Sequence, residues 1–539
     1  MTAVDKSISR QYKPFFAGTG AAKLLLITVF VSLVFLPTLH MLLGMDIQTI
    51  QTVMSSSGFL LSLKNSLTAA VISTVVTILF ATLLAFFMQR VNMRGKTIFE
   101  ILIVLPMLIP SISSGMGLVI LMGNNGILTR LLHLEYTIYG LSGIVLGSII
   151  YALPAAYLML VDVIRYEDAS PYEAAQVLGI PKLRQFFSIT LPYLRRPLLS
   201  AIFSTFTLII TDYGIPLMVG GKYTTIPVVM YQEVIGQLNF EKGAVYGSLL
   251  LIPAVAAFVI DLMNKDRGNT TFVIKSHALN NNRLVQSLAY LCCGAVTLVA
   301  VFPVLCFVLL AFSADCPYDF RFTFEHVDRT FGLRVGAYLL NSVVMALLVA
   351  FIGIIIAFLT AYLSARARSI ASRFLHLSVM TSAAIPGVVL GLSYVLTFRT
   401  SAIYGTMLIL VIVNLIHFIA SPYLMMYNSL SKINQNLEAV ALTLHIDRLH
   451  MIKDILIPQC KWTLLQMFSY FFVNCMITIS AVSFLATTLH KPASLMINQF
   501  EAQMQLECAA VVSLLILIIN LLIKFVLHLI FQKWTRGNK

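Results

Sequence analysis

Residues 170–192 read SPYEAAQVLGIPKLRQFFSITLP, and the reading of this stretch decides how the rest of the chain is read. It is a mixed polar and apolar insert between two long hydrophobic segments. Ser170 in a capping position, Pro171 at the first helical position and Glu173 reaching back predict a capping box. A short helix over 173–178 then stops at Gly179, the residue type suited to a turn with positive φ. A second short helix over 182–189 ends before Pro192. Taken alone, such a segment is equally well an interfacial helix that tidies a loop.

A second copy stands at 437–458, LEAVALTLHIDRLHMIKDILIP, in the same place relative to its own hydrophobic segments. Aligning Pro192 with Pro458 puts Ile189 on Ile455, Leu191 on Ile457 and Gly179 on His445. The two loops resemble the signature of the membrane subunits of binding-protein-dependent ABC importers: Glu-Ala-Ala, then Gly, then Ile-x-Leu-Pro. The first copy matches at Glu173, Ala174, Ala175, Gly179, Ile189, Leu191 and Pro192. The second departs, with Ala439 at the glutamate position, Glu438 one residue early, and His445 for the glycine. The resemblance implies that loops 168–192 and 434–458 form helices that couple to cytoplasmic ATPases. It also implies unequal loops, with Glu173 and Gly179 mattering more than Glu438.

Composition agrees with a membrane protein. The chain has 539 residues, 59% hydrophobic and only 11% charged, where a soluble domain is near a quarter charged. The net charge of +14 raises the question of a nucleic-acid partner. The basic clusters, however, fall on one side of the predicted spans, as the positive-inside rule requires, and need no anionic partner. The seven cysteines lie mostly within hydrophobic segments and show neither a disulfide framework nor a metal spacing.

Twelve spans are expected, near 21–43, 66–89, 98–122, 138–164, 196–219, 243–263, 284–313, 338–363, 374–398, 403–427, 464–487 and 508–531. Both termini are then cytoplasmic, in the inner membrane of a bacterium. The polar stretch 264–283 separates a first permease domain, 1–263, from a second, 284–539. The halves are repeats: LKNSLTAAVISTVVTILFATLLAFFMQR aligns with LLNSVVMALLVAFIGIIIAFLTAYLSAR. Asn65 matches Asn341, Arg90 matches Arg366, Pro110 matches Pro386 and Gly115 matches Gly391, all at an offset of 276 residues. By the loops the offset is 266, so the first half carries about ten extra residues near 124–139. Two parallel six-helix repeats in one all-α, polytopic chain follow. In the resembled family this is the type I importer transmembrane fold.

No phosphate-binding loop, HExxH or paired cysteine motif is present, so no catalytic residue, metal or bound cofactor is expected. Any ATP and magnesium would be held by two copies of a separate ATPase. The other partners implied are an extracytoplasmic solute-binding protein and lipid, with no nucleic acid.

Polar residues within spans are costly and usually face an interior. Asp212 and Tyr213, then Asn474, Thr478 and Ser480 in the matching span, are the candidates for a translocation path. Asp212 has a second reading, as the cap of a helix broken at Tyr213–Gly214. Asn65 and Asn341 are expected as outer helix caps. Single-chain fusions of this type resemble iron(III), thiamine and 2-aminoethylphosphonate permeases, and the stretches 211–261 and 467–517 are similar to the last of these. That resemblance implies 2-aminoethylphosphonate as the solute, with iron(III) the alternative. A different class, an ion-driven secondary transporter, also uses parallel repeats but calls for intramembrane carboxylates, of which Asp212 is essentially the one offered.

Overall fold

A computed structural model describes residues 18–133, 137–264, 275, 277–434 and 436–536. It is almost entirely helical. The exception is a two-stranded antiparallel hairpin, Ser313–Asp315 with Asp319–Phe322, in the predicted outer loop.

The helix Ser57–Arg90 shows why the chain belongs in a bilayer. Small and hydroxyl residues recur along the middle of its buried face, Ser62, Ser66, Ala69, Ala70, Ser73, Thr77 and Ala81, with larger ones such as Phe59, Leu84 and Phe87 toward the ends. Its exposed face carries Leu60, Val71, Val75 and Leu79. A water-soluble helix does the reverse. Against lipid, small faces let backbones approach while large apolar side chains face the hydrocarbon. The repeat-matched helix Val335–Ala365 does the same, burying Ala346, Ala350, Gly353, Ala357 and Ala361 and exposing Phe351, Ile355 and Leu359.

Among the described residues, eight helices are long and apolar enough to cross a membrane, or ten if two bent pairs each count as one span. The sequence led us to expect twelve. The shortfall has a local cause, since the segments near 196–219 and 464–487 are not continuous helices. Leu191–Ile210 stops before Asp212, and Lys461–Ile477 stops at Thr478. Several other predicted spans bend at proline. Pro386 pushes Ile385 into extended backbone (φ −98°, ψ 116°), and the flanking helices Ile370–Ala384 and Gly387–Phe398 meet at 105°. Pro110 acts identically on Ile109 (φ −120°, ψ 153°).

The chain forms two compact units that interleave in sequence. One comprises Met1–Asp46, Arg334–Met496 and Ile516–Lys539; the other comprises Ile47–Leu333 and Ile497–Leu515. In the first unit, the N-terminal helical run Thr19–Leu43 packs on Ile370–Thr381 and Gly387–Phe398, which belong to the second sequence half. Buried Lys23 donates to the Ala367 carbonyl at 2.6 Å. Pro37 has no N–H for the Leu33 carbonyl four residues back, so the run takes a π turn over Val31–Phe35. Tyr394 donates to the freed Leu33 oxygen at 2.8 Å. In the second unit, Arg283–Phe312 packs on Lys96–Val104 and Ser111–Met122 of the first half. Gly117 permits that approach, since a Cβ there would lie 2.5 Å from Pro303.

Candidate functional site

The two loops singled out in the sequence have the same backbone construction. Each opens with an Asx turn: Asp168 Oδ1 accepts from the Ser170 amide at 3.1 Å, and Asn434 Oδ1 accepts from the Asn436 amide at 2.9 Å. A helix follows, Ser170–Val177 in one loop and Leu437–Thr443 in the other. Each helix ends in a left-handed residue, Gly179 (φ 66°) or His445 (φ 56°). The six-to-one bond of a Schellman motif closes both, Ile180 N–H to Ala175 O at 2.9 Å and Ile446 N–H to Ala441 O at 2.8 Å. Ala175 and Ala441 are buried at the same repeat position.

A second helical piece then begins, at Lys182 or Arg448. It passes through a π turn, Phe186–Thr190 or Ile452–Leu456, immediately before Leu191–Pro192 or Ile457–Pro458. The proline explains the turn. It cannot donate to the carbonyl four residues back and its ring would clash there, and a five-residue turn relieves both.

The expected capping box is not formed. Ser170 is the first residue of the helix rather than its cap, and its hydroxyl donates to Asp168 at 2.9 Å. Glu173 points away from the helix start to the Lys275 ammonium at 2.7 Å. The amide and hydroxyl of Ser170, with smaller help from Lys275, hold the Asp168 carboxyl below its ordinary range. Asp447 is lowered by His450, which bonds it directly.

Beneath the helices lie two ion pairs that the sequence reading missed. Arg366 clasps Glu438 with Nε and Nη2, and donates further to the carbonyls of Ile433 (2.6 Å) and Asn434 (2.9 Å). Both side chains are at most 3% exposed. In the other loop the repeat-matched Arg90 pairs with Glu167, which in turn accepts from the Tyr172 hydroxyl. Burial, then that carboxylate, pushes the Tyr172 phenol up from its ordinary value. The sequence signal was available in the matched Arg90 and Arg366. It was obscured because the acids sit at different repeat positions, 167 and 438.

Ala174 is exposed on the first helix and Ala439 half-buried on the second. The path candidates are placed as follows. Asp212 Oδ2 accepts from the Ile215 amide at 3.0 Å, capping the short helix Gly214–Val219, and Oδ1 accepts from Ser111 Oγ at 2.6 Å. Tyr213 is buried and stacks on Tyr231 with ring centres 4.8 Å apart. In the other unit, Asn474 bonds back to its own helix at Tyr470 O (2.8 Å), and the Thr478 carbonyl accepts from Ser494. Ser480 Oγ lies where a Cβ on Gly387 would come within 2.4 Å.

The extended segments after these breaks are held alike. Asn65 lies inside the Ser57–Arg90 helix and donates to Thr224 O, while Ser66 accepts from the Ile226 amide. Asn341 donates to Leu489 O, and Ser342 accepts from the Ala493 amide. These asparagines therefore tie down loops and are not helix caps. Among the described residues no cluster of His, Cys, Asp or Glu could hold a metal.

Residues 78–265 and 350–536 each match the family model described as binding-protein-dependent transport system inner membrane component. A Haemophilus influenzae protein whose name assigns it to ferric transport as a permease is 25% identical over 82% of this chain and 72% of its own length. The ferric transport system permease protein FbpB of Actinobacillus pleuropneumoniae is 26% identical over 79% of this chain and 64% of its own. The molybdenum transport system permease protein ModB of Haemophilus influenzae is 31% identical over 31% of this chain and 76% of its own. A bacterial alginate ABC transporter, solved with its alginate-bound periplasmic protein, covers 48% of this chain and 94% of that one. It is 18% identical with a TM-score of 0.38, a likeness that carries no argument.

Proposed function

Because the chain belongs to the binding-protein-dependent inner membrane components, with two such domains in one polypeptide, we propose that it forms the translocation path of an ATP-driven importer. Its two loops then couple to two copies of a cytoplasmic ATPase that carry ATP and magnesium, while this chain hydrolyses nothing itself. A solute-binding protein delivers the cargo from outside. The observation that best supports this reading is a pair of apolar knobs at repeat-matched places. Leu178 and Leu444, beside the left-handed turn, are 74% and 63% exposed, and Leu183 and Leu449 just beyond it are each 74% exposed. Clustered exposed leucines on a rigid, capped turn suit insertion into a partner's cleft, where burying them is favourable.

For the solute we place iron(III), or an iron(III) chelate, ahead of 2-aminoethylphosphonate. The two relatives that align with about four-fifths of this chain carry ferric names. Asp212, Tyr213, Thr478 and Ser480 would then line or frame the path, and Asn474 would support it.

The test is direct. Leu178→Glu with Leu444→Glu should abolish copurification of the ATPase while the permease itself stays monodisperse. Uptake of radiolabelled iron(III) against labelled 2-aminoethylphosphonate, in cells carrying the full complex, decides the solute. Retained ATPase binding by the double variant would remove the coupling assignment.

A further inference from the structure

Among the described residues, Lys275 and residues 277–280, between the two sequence halves, contact the first loop and the backbone beside it. Three bonds come from one residue. The Lys275 amide donates to Asp168 Oδ1 at 3.2 Å, its carbonyl accepts from the Ala169 amide at 3.0 Å, and its ammonium reaches Glu173 Oε2 at 2.7 Å. The His277 ring then meets Tyr172 edge-on, with ring centres 4.9 Å apart. Farther along, Asn280 takes up the backbone that follows the Ser57–Arg90 helix. Its amide donates to Arg90 O at 2.8 Å and its carbonyl accepts from the Asn92 amide at 3.1 Å. Arg90 returns to the loop through Glu167. The contacts close a circuit: Arg90, Glu167, the helix start, Lys275, Asn280 and back to Arg90.

We propose that Lys275 is a positioning residue for the Ser170–Val177 helix, so that this helix meets an ATPase in an orientation Lys275 holds. The proposal rests on the coupling function given above. Three features carry it. The glutamate of the Glu-Ala-Ala run is engaged with Lys275 instead of with its own helix start. The Asx turn that opens the helix shares its acceptor, Asp168 Oδ1, with the same lysine's amide. The second loop has Ala439 at the matched position and so offers no carboxylate there for a lysine. An exposed ion pair alone contributes little. Here it is the third bond from a residue whose backbone is already held by two others, so only side-chain entropy is left to oppose it. Two identical ATPase subunits would therefore meet two differently braced loops.

The test uses the full chain in nanodiscs, first without any ATPase. Lys275→Glu should raise hydrogen exchange across 170–178 by roughly two- to fivefold, the range an ion pair of this exposure supports. Exchange across 437–443 should not change, and the charge swap Glu173→Lys with Lys275→Glu should restore protection. In the reconstituted importer the same single variant should lower solute transported per ATP hydrolysed, and the swap should recover it. Unchanged exchange in 170–178 would overturn the strap. Raised exchange with normal transport per ATP, while Leu178→Glu still uncouples, would overturn the positioning role. Normal coupling in both variants would instead overturn the coupling reading on which it rests.

Discussion

Glu438 and Arg366 form a bidentate ion pair sealed from solvent, with Arg366 Nε 2.5 Å from Glu438 Oε1 and the other guanidinium nitrogens on loop carbonyls. Holding the loop together is a separate role from coupling, and here Glu438 carries it more than Glu173 does. Glu173 is half exposed on its lysine. Glu438 neutralises a buried cation that also ties down the loop backbone. Removing one partner of a buried pair leaves an uncompensated charge and costs about 3–5 kcal/mol. Glu438→Ala should therefore lower the thermal unfolding temperature and yield of the purified chain far more than Glu173→Ala. Equal melting curves for the two variants would refute this.

Asp212 separates structure from transport in a testable way. Its carboxylate caps Gly214–Val219 and accepts from Ser111. Asparagine keeps the shape and one acceptor oxygen but carries no charge. Asp212→Asn should lose only a modest part of the stability and depress uptake. Full uptake by this variant would leave the residue a cap alone. Ser111→Ala should cost about 1 kcal/mol of stability, the net worth of one hydrogen bond.

Much of this architecture was legible because repeats compare a chain with itself. The offset that pairs Gly179 with His445 also pairs their left-handed φ values, their Schellman bonds and the exposed leucines beside them. The π turns were not legible as such, although the prolines that force them were. The ion pairs and the Lys275 strap escaped because they join residues far apart in sequence, and Lys275 and the acids Glu167 and Glu438 sit at positions the repeat does not match. Span counting does not see breaks within a span: Asp212 and Thr478 sit in segments apolar enough to cross but not helical throughout. Tertiary hydrogen bonds from Asn65 and Asn341 hold the extended segments beyond those breaks, and no local pattern announces them.

Gly115 and Gly391 occupy matched positions and face matched residues, Ile215 and Ala481. A methyl on Gly391 would lie 2.6 Å from the Ala481 carbonyl oxygen, which is backbone and cannot rotate away. On Gly115 the nearest atom is Met218 Cβ, also fixed by the backbone but farther at 2.8 Å, and the next, Met218 Cγ at 3.3 Å, can move with its rotamer. Overpacking of this kind costs about 1–3 kcal/mol. Gly391→Ala should therefore destabilise the chain more than Gly115→Ala in parallel thermal scans, and the opposite ranking would contradict the geometry.

Asp168 predicts a pH dependence with a definite sign. Its folded-state pKa is lowered from 3.8, chiefly by the Ser170 amide and hydroxyl. Its contribution is thus fully present above the ordinary carboxylate range and is lost as pH falls through the depressed folded value. The stability difference between wild type and Asp168→Asn should be constant through neutral pH and shrink only in strong acid. A difference that already varied around neutrality would assign the effect to another group.

Gly179 and His445 allow backbone strain to be tested free of packing. A Cβ built on Gly179 has nothing within 4 Å, so any penalty there comes from its φ of 66° and not from a clash. Left-handed backbone costs most residues roughly 1–2 kcal/mol, with Asn, Asp and His among the tolerant. His445 shows that tolerance within the same chain. Gly179→Asn should therefore preserve stability and transport. Gly179→Val, β-branched and intolerant, should fray the 170–178 helix and lower solute transported per ATP hydrolysed. The converse substitution, His445→Gly, removes strain but adds freedom to the unfolded chain, terms of opposite sign and similar size, about 1 kcal/mol each. It should leave the unfolding temperature nearly unchanged. Comparing all three variants in reconstituted complexes isolates the turn, because only Val joins an empty surround to a forbidden φ. Equal uncoupling by Asn and Val would show that the site demands the absence of a side chain, and so a partner surface pressed against Gly179 itself.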